Sequence, residues 1–412
     1  MRALRTLFLV VAGVLVAGLL AVAAGATASV VSTTRAQDAL QPFYTPPNPL
    51  PGPPGTLIRS EPLDVDVPGG TAHRILYVSE RLDGTPAASG GIVYLPTAPA
   101  PAGGRPVVAW AHGTLGMADQ CAPSRSSNPL QDTDNWLDQM MALGWVVTAT
   151  DYVGLGTPGP EAYLVAGAEV RDVVNAVRAA REFPDAEAGS RYVVFGHSQG
   201  GHTSLWSGHL AEELAPELDL LGVAAAAPAA NLVPIMSAQW ATAVGWAIGP
   251  EVAISWPPVY PDVALDGVVS GNGIDSYQRL ADECIDAAGL EGLARTKVGQ
   301  TFFDVDPTTV AGWRDAATAQ TVPPLPASMP VMVAQGTADE VVLPGPNALL
   351  QQQWCDSGSA LTMLWMGGIG HLAAATTSGP AVVPWIADRF ADRPAGRTCD
   401  TPPPVAPSPP GA

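Results

Sequence analysis

The chain has 412 residues, of which 47% are hydrophobic and 14% are charged, and its formal net charge is −19. A chain of this size and apolar content can form one large domain with an insertion, or two to three average domains. The acidic charge and the lack of basic patches argue against nucleic acid and anionic membrane surfaces as partners, and Lys297, the single lysine, does not lie in the Gly-Lys-Ser/Thr sequence that a P-loop requires.

Residues 1–28 have the features of a secretory signal peptide. Two arginines precede an apolar run over residues 7–24, and Ala26-Thr27-Ala28 forms a small-residue cleavage site. We therefore expect cleavage and secretion, which changes the formal charge from −19 to −21 because both arginines are lost. The alternative is an uncleaved membrane anchor, since the apolar run approaches the roughly 20 residues that span a bilayer.

The next segment, residues 29–56, is rich in proline towards its end and is expected to form an extended arm on the main domain. Strand patterns follow at 57–66, 73–80 and 90–95. Because no helix pattern separates these strands, they predict an antiparallel edge of a sheet.

Strands and helices alternate from residue 106 onwards, which is the pattern of a parallel sheet covered by helices on both faces. The further predicted strands are 106–111, 145–150, 191–196, 220–227, 330–335 and 361–366. The predicted helices are 132–143, 162–183, 199–214, 344–354 and 381–391. The fold class is therefore α/β, with a mostly parallel central sheet.

The sequence Gly196-His197-Ser198-Gln199-Gly200 joins a predicted strand to a predicted helix. It fits G-x-S-x-G, the nucleophile elbow of α/β-hydrolases, in which the serine occupies a strained turn. We predict that Ser198 is a catalytic nucleophile, and the alternative is an ordinary strand-to-helix turn. The α/β-hydrolase core would span residues 57–228 and 327–398.

Residues 229–326 interrupt the alternation of strands and helices. A stretch of this length is too long for a plain loop in a compact domain, and its pattern is helical and apolar. We predict a helical cap inserted into the hydrolase core, and the alternative is a separate helical domain with no bearing on the site. The apolar stretch 235–256 is predicted to line an acyl pocket, in which bulky side chains at Ala243, Gly245 or Gly249 would shorten the accepted chain.

The nucleophile needs a base, and the chain order identifies it. In α/β-hydrolases the order is Ser, then Asp or Glu, then His, and His371 is the only histidine after the elbow helix. His202 and His209, on that helix, are interpreted as packing or surface residues. Asp339, which follows the next-to-last strand, is predicted to hold the base, with Glu340 as the alternative.

The oxyanion of the reaction needs preorganised hydrogen-bond donors. One is predicted to be the backbone N–H of Gln199, which follows the nucleophile. The other is predicted in the loop after strand 106–111, with Gly113 or Thr114 as the donor, although an ordinary glycine turn would have the same sequence.

Four cysteines are spread widely along the chain, at Cys121, Cys284, Cys355 and Cys399. Since no C-x-x-C pair is present and the protein is expected to be exported, they predict two disulfides rather than a metal site, with three possible pairings. No cofactor is predicted. The proline-rich residues 399–412 are expected to form a disordered tail.

With these residues assigned, the chain resembles the secretory lipase family over nearly all of its expected mature length. The resemblance rests on the stretches PFYTPP, CAPS, DYVG, APEL, GTADEVV and GHL together with the elbow. It implies a secreted α/β-hydrolase with a helical cap that cleaves carboxylic esters of lipids, with Ser198, Asp339 and His371 as catalytic residues. It also implies the disulfides Cys121–Cys284 and Cys355–Cys399.

The resemblance further implies that Asp151 contributes to the oxyanion hole. A carboxyl that donates a hydrogen bond must be protonated, so its contribution would depend on a raised pKa or a low pH. This chain departs from the family pattern because its loop HGT, residues 112–114, offers more usual backbone donors. Asp151 and Thr114 are therefore expected to share or compete for the role.

The leading prediction is a secreted serine ester hydrolase of the triacylglycerol lipase type, acting as a monomer on lipid esters with transient contact to lipid interfaces. The first alternative is a secreted peptidase of the same fold, such as a prolyl aminopeptidase, in which acidic residues of the cap would bind the substrate amine. The second is a non-catalytic binding protein, against which the complete set of Ser, Asp and His argues.

Overall fold

The computed structural model describes residues 34–409 apart from residue 134. The chain divides into two units, Met1–Thr45 and Pro46–Ala412. The predicted signal peptide, residues 1–28, lies outside the described residues. Within the described part of the chain, no helix is both long enough and apolar enough to cross a membrane.

The first unit contains a helix where an extended arm is expected. Residues 34–44 are helical, so the extended conformation predicted for 29–56 is wrong over that stretch. The reason is composition, because residues 35–41 lack proline and glycine and are rich in Ala, Gln, Leu and Arg, which favour helices. The prolines that suggest an extended chain begin only at Pro42.

Among the described residues, the second unit contains one sheet of nine strands in the order β1-β2-β3-β5-β4-β6-β7-β8-β9. The strands are β1 (Leu57–Leu63), β2 (Gly70–Glu80), β3 (Pro86–Pro96), β4 (Arg105–Ala111), β5 (Val146–Thr150), β6 (Ala188–His197), β7 (Asp219–Ala226), β8 (Val331–Gly336) and β9 (Leu361–Met366). The pairs β1–β2, β2–β3 and β3–β5 are antiparallel, and all other neighbours are parallel. The predicted mostly parallel sheet with an antiparallel edge is confirmed.

The α-helices of this unit complete the predicted alternation. They are α1 (Leu137–Ala142), α2 (Ala166–Glu182), α3 (Gln199–Leu214), α4 (Leu232–Gln239), α5 (Ala243–Ser255), α6 (Gly271–Ile274), α7 (Tyr277–Ala281), α8 (Ile285–Lys297), α9 (Ala311–Gln320), α10 (Pro344–Asp356) and α11 (Ala374–Phe390). The starts of α1, α2 and α11 differ from the prediction by four to seven residues. Helix α1 starts later than expected, because Asp132 and Asn135 have positive φ values of 66° and 68°, which a helix does not contain. Helix α11 starts earlier and continues through two prolines.

Helices cover both faces of the sheet, and the strand sequences explain why. In β4, Val107 and Ala109 belong to the apolar cluster under α2, α3 and α10, whereas Val108 and Trp110 belong to the cluster under α1 and α11. Successive side chains of a strand point to opposite faces, so a strand that is apolar at every position is buried on both faces. This explains the continuous apolar runs from which the strands were predicted.

The inserted segment, residues 229–326, is helical, as its pattern predicts. Helices α4 to α9 all lie in it, between β7 and β8. Its apolar side chains form a third cluster around Trp246, Trp256 and Trp313, and this cluster also contains Tyr163 and Leu164 from the loop before α2. The segment therefore packs against the part of the core that leads into α2.

Two disulfides connect distant segments of this unit. They join Cys121 to Cys284 and Cys355 to Cys399, which are the pairings that the resemblance implies. Residues 399–409 do not form the disordered tail that their composition predicts. The Gln351 side chain donates to the Thr401 carbonyl over 2.7 Å, and the Ser408 N–H donates to the Gly345 carbonyl over 3.0 Å, so hydrogen bonds to α10 and the disulfide hold the tail in place.

Candidate active site

Ser198 lies at the turn between β6 and α3 in a backbone conformation that few residues adopt. Its φ is 57° and its ψ is −114°, a region that costs a non-glycine residue free energy and that is concentrated at functional sites. The flanking glycines are required. A Cβ atom on Gly196 would lie 2.0 Å from the Gly200 carbonyl oxygen, and one on Gly200 would lie 1.9 Å from the Ala111 carbonyl oxygen. The turn thus has the geometry of a nucleophile elbow.

The structure brings together the three residues predicted to react. The Ser198 hydroxyl is 2.9 Å from His371 Nε2, and His371 Nδ1 is 2.9 Å from Asp339 Oδ2. All three side chains are buried. The other carboxylate oxygen of Asp339 accepts hydrogen bonds from the N–H groups of Val341 and Val342, each over 2.9 Å. The carboxylate is therefore fixed in the orientation that receives the proton on His371 Nδ1.

The neighbouring histidines on α3 have other partners. His202 Nε2 is 2.8 Å from the Gln320 carbonyl oxygen, and His209 Nε2 is 2.9 Å from the Pro323 carbonyl oxygen. Both rings therefore join α3 to the end of the inserted segment. This agrees with the interpretation of these residues as packing residues rather than bases.

His197, to which the sequence assigned no role, contacts the proposed base. Its Nε2 donates to the His371 carbonyl oxygen over 3.1 Å, and the two ring centroids are 4.8 Å apart. Burial first, and the neighbouring His371 second, lower the His197 pKa to about 3. A neutral ring must carry its proton on Nε2 to donate this bond. In the sequence, the only indication that His197 belongs to the site is its position next to Ser198.

The predicted backbone donors lie next to Ser198. Gln199 is the first residue of α3, so its N–H belongs to the unpaired donors at the helix start. A Cβ atom added to Gly113 would lie 3.4 Å from the Ser198 Cβ, which places that loop against the nucleophile. The Thr114 hydroxyl is 2.7 Å from the Tyr163 hydroxyl, so its side chain is already engaged.

Asp151 is bound elsewhere. Its side chain is fully buried, one carboxylate oxygen accepts from the Ser124 N–H over 3.0 Å, and the other accepts from the Ser124 hydroxyl. Burial raises the Asp151 pKa to about 6, against the lowering effect of these hydrogen bonds. Both oxygens are thus directed at the loop after β4 and not at the Ser198 hydroxyl.

A cavity of about 80 Å³ opens beside Ser198 and Gln199. We call it the apolar cavity. Most of its wall comes from the inserted segment, including Leu232, Ile235, Met236, Trp240, Val244, Ile248, Val252 and Trp256. None of the residues lining it carries a charged side chain, so it suits an uncharged, apolar group.

The small residues proposed to limit this cavity are placed differently from the prediction. Ala243 does not line it. Gly245 and Gly249 do, but a Cβ atom there would lie 2.5 Å from the Trp240 carbonyl oxygen or from the Phe302 ring, respectively. Bulky residues at these glycines would disturb packing instead of filling the cavity. No group of three or more metal-ligating side chains is present among the described residues.

Comparisons with known proteins identify the family and the fold. A family model described as "Secretory lipase" matches residues 126–398. A Mycobacterium tuberculosis protein described as a probable inactive lipase is 23% identical over 86% of this chain and 82% of its own length. Lipase 10 of Candida albicans is 27% identical over 68% of this chain and 64% of that lipase.

Two solved structures share the fold. Candida antarctica lipase A in its closed state has a TM-score of 0.69 at 17% identity, covering 89% of each chain. A rice cell wall degrading esterase, LipA from Xanthomonas oryzae, has a TM-score of 0.68 at 18% identity, covering 83% of this chain and 99% of that chain. At these identities the likeness establishes the α/β-hydrolase fold alone.

Proposed function

Because the chain belongs to the secretory lipase family, we propose that it is a secreted serine hydrolase that cleaves carboxylic esters of lipids, including acylglycerols, through an acyl-enzyme on Ser198. The observation that carries the proposal is the hydrogen-bonded series from Ser198 through His371 to Asp339, with both bonds at 2.9 Å. Such a series is the arrangement that makes a serine hydroxyl nucleophilic at neutral pH.

The proposed reaction has two halves. His371 Nε2 accepts the Ser198 proton as the hydroxyl oxygen attacks the ester carbonyl carbon, and the imidazolium then gives this proton to the departing alcohol. In the second half, water gives a proton to His371 and its oxygen attacks the acyl carbon. The bond from this carbon to the Ser198 oxygen then breaks, the imidazolium returns its proton to that oxygen, and the carboxylic acid leaves. Asp339 stabilises the imidazolium in both halves and stays ionised.

The negative oxygen formed in each half needs donors that are already in position. We assign this role to the backbone N–H groups of Gln199 and of the Gly113–Thr114 loop, because both flank Ser198. The carboxyl of Asp151 is not assigned this role, since both of its oxygens already accept hydrogen bonds from Ser124.

The apolar cavity supports an ester with an acyl chain as the substrate. Burial of each methylene contributes about 0.8 kcal/mol, so a cavity with an apolar wall favours longer chains until it is full. A peptidase of this fold would need an acidic side chain there to bind an amine, and no acidic residue lines the cavity. The cavity therefore favours ester hydrolysis over aminopeptidase activity.

Secretion and lipid contact are part of the proposal. Residues 1–28 would be removed during export, and the mature N-terminus of protein recovered from culture medium would show whether they are. Leu372, next to His371, is 79% exposed, which suits brief contact of a monomer with a lipid interface. Sedimentation of the purified protein tests whether it is a monomer.

The deciding experiment compares three substrate classes. The purified protein is assayed with p-nitrophenyl esters, with triacylglycerols of different chain lengths and with aminoacyl anilides, alongside the variants Ser198→Ala and His209→Ala. We expect ester hydrolysis that Ser198→Ala abolishes and His209→Ala retains. Anilide hydrolysis without ester hydrolysis would support the peptidase. Binding of lipid esters without turnover would support a non-catalytic protein, a serious alternative given the mycobacterial relative described as inactive.

A further inference from the structure

A second cavity, of about 380 Å³, lies in the same unit and shares no lining residue with the apolar cavity. We call it the acidic cavity. Its wall is formed by the end of β2 and the turn after it, the loop between β5 and α2, the first turns of α2, and residues 254–259. Three buried carboxylates, those of Glu161, Glu169 and Asp172, line it.

Two of the three carboxylates have donors within the protein. Glu169 accepts hydrogen bonds from the Leu164 N–H over 2.9 Å and from the Gln199 side chain over 2.8 Å. Asp172 accepts from the Val153 N–H over 2.9 Å. Glu169 and Asp172 therefore have hydrogen-bond donors within the protein and need no ligand to satisfy them.

Glu161 is different. Its side chain is buried, and its Oε2 has no hydrogen-bond partner among the described residues. Burial raises the Glu161 pKa well above its usual value, and the carboxylates of Glu251, Glu169 and Asp172 raise it further. An isolated buried carboxylate costs several kcal/mol unless it is paired or neutralised. The cavity thus presents one buried acidic side chain whose Oε2 atom receives no donor from the described residues.

Two arginines on the elements around this cavity have partners other than Glu161. Arg81 lines the cavity but donates to the Pro86 carbonyl over 3.5 Å, and Arg171 lies 3.7 Å from Glu80, which also lines the cavity. Neither of these contacts brings a cation to Glu161. A positive group from outside the chain would therefore find an acidic side chain without a partner in this cavity, and its charge would favour the ionised form of Glu161.

We propose that the acidic cavity binds an organic ammonium ligand, with Glu161 as its counter-ion. An ammonium group brings several N–H donors and a positive charge, and a charge-assisted hydrogen bond to a carboxylate is about twice as strong as a neutral one. The rest of the wall includes Leu82, Ala162, Ile254 and Val259, which suit an apolar chain on the ammonium nitrogen. The volume of about 380 Å³ fits such a molecule rather than a single ion.

This site is separate from ester hydrolysis. Glu161 has no hydrogen bond to Ser198, His371 or Asp339 in the described structure, and the carboxylate that joins the two regions is Glu169, through Gln199. A test at Glu161 can therefore fail or succeed without altering the assignment of the hydrolytic residues.

The test measures binding of hexylammonium and of hexan-1-ol to the full protein by titration calorimetry at pH 8, without ester substrate. The alcohol has the same chain without the charge, so it reports any binding in the apolar cavity. We expect hexylammonium to bind at least tenfold more tightly than hexan-1-ol. Glu161→Gln, which keeps the shape but removes the charge, should abolish this preference, and Glu213→Gln on the exposed side of α3 should keep it.

Either of two results would overturn the proposal. One is equal affinity of the wild-type protein for the ammonium and the alcohol, and the other is a preference that survives in Glu161→Gln. The unfolding temperature and the rate of p-nitrophenyl acetate hydrolysis show whether the variant is folded. If Glu161→Gln does not fold, the comparison of the two ligands in the wild-type protein alone decides the question.

Discussion

The apolar cavity and the acidic cavity are formed by neighbouring stretches of sequence but are opposite in chemistry. Helix α5 contributes to both. Val244, Ile248 and Val252, spaced four residues apart on one face, line the apolar cavity, while Ile254 and Ser255 line the acidic cavity. Residues at i, i+4 and i+8 share one face of a helix. One helix thus separates a cavity without charges from a cavity with an unpaired carboxylate.

This difference shows why the apolar character of residues 235–256 cannot be interpreted as a single feature. The stretch contains Glu251, which is buried, and burial raises its pKa well above the usual value. The uncharged cavity adjoins Ser198, whereas Glu161, Glu169 and Asp172 line the acidic cavity. A substrate amine and a substrate acyl chain would therefore be drawn to different places.

The largest expected effect is a loss of ester hydrolysis that leaves binding in the acidic cavity unchanged. Ser198→Ala or His371→Ala should reduce ester hydrolysis by about 10⁴-fold or more, because either change removes the nucleophile or its base. Binding of hexylammonium should be unchanged in both variants. His202→Ala is the matched control, and it should lower the unfolding temperature more than it lowers kcat. An active His371→Ala together with an inactive His202→Ala would refute the assignment of the base.

The second prediction concerns the wall of the apolar cavity. Ile248→Trp should shorten the preferred acyl chain and lower kcat/KM for longer esters by about 10- to 100-fold, since each methylene excluded from the cavity forfeits about 0.8 kcal/mol. Leu290→Trp, at a position that is 71% exposed on α8, is the control. Rates on a series of p-nitrophenyl esters give the profile. If both variants keep the wild-type profile, the acyl chain binds elsewhere.

A smaller effect is expected from His197. His197→Ala removes the hydrogen bond to the His371 carbonyl and should lower kcat by about tenfold, a loss of roughly 1 to 1.5 kcal/mol for one hydrogen bond. Because the His197 pKa is lowered to about 3, its ring is neutral above pH 5, and the ratio of variant to wild-type kcat should be the same from pH 5 to 9.

His197→Gln sharpens the test, because its amide N–H can donate in place of the imidazole. It should recover part of the lost kcat if the hydrogen bond positions His371. Equal losses in the alanine and glutamine variants, or a ratio that changes with pH, would mean that His197 acts in another way.

The sequence was sufficient for the sheet and for the residues around Ser198. The parallel strands follow from mostly apolar runs bounded by turn residues, because strands buried on both faces contain few polar positions. Asp339 and His371 follow from chain order and from their positions after β8 and β9, where the carboxyl ends of parallel strands meet. These features depend on local pattern and topology, which the sequence contains.

The remaining features depend on long-range neighbours. His197 donates to the carbonyl of His371, 174 positions away, and Glu161 Oε2 receives no donor from the described residues. Residues 399–409 are held by α10, which their own composition does not reveal. In each case the decisive property is what surrounds a side chain, and no local pattern encodes it.

The smallest effect on activity is expected for Asp151, a buried acid that lines neither cavity. Because its oxygens accept from Ser124, Asp151→Asn should change kcat by less than about threefold at every pH.

The effect of Asp151→Asn should appear in the stability of the protein instead. The folded-state pKa of about 6 exceeds the unfolded value of 3.8, so the unfolded chain releases this proton first and the group destabilises the protein as pH rises from about 4 to 6. A pKa shift of about two units corresponds to roughly 3 kcal/mol. As the pH rises from about 4 to 6, the free energy of unfolding of the variant should therefore increase relative to that of the wild type by up to this amount. Urea unfolding at several pH values measures it. A wild-type kcat that falls as pH rises through 6, with no such fall in the variant, would instead return Asp151 to the oxyanion hole as a protonated donor.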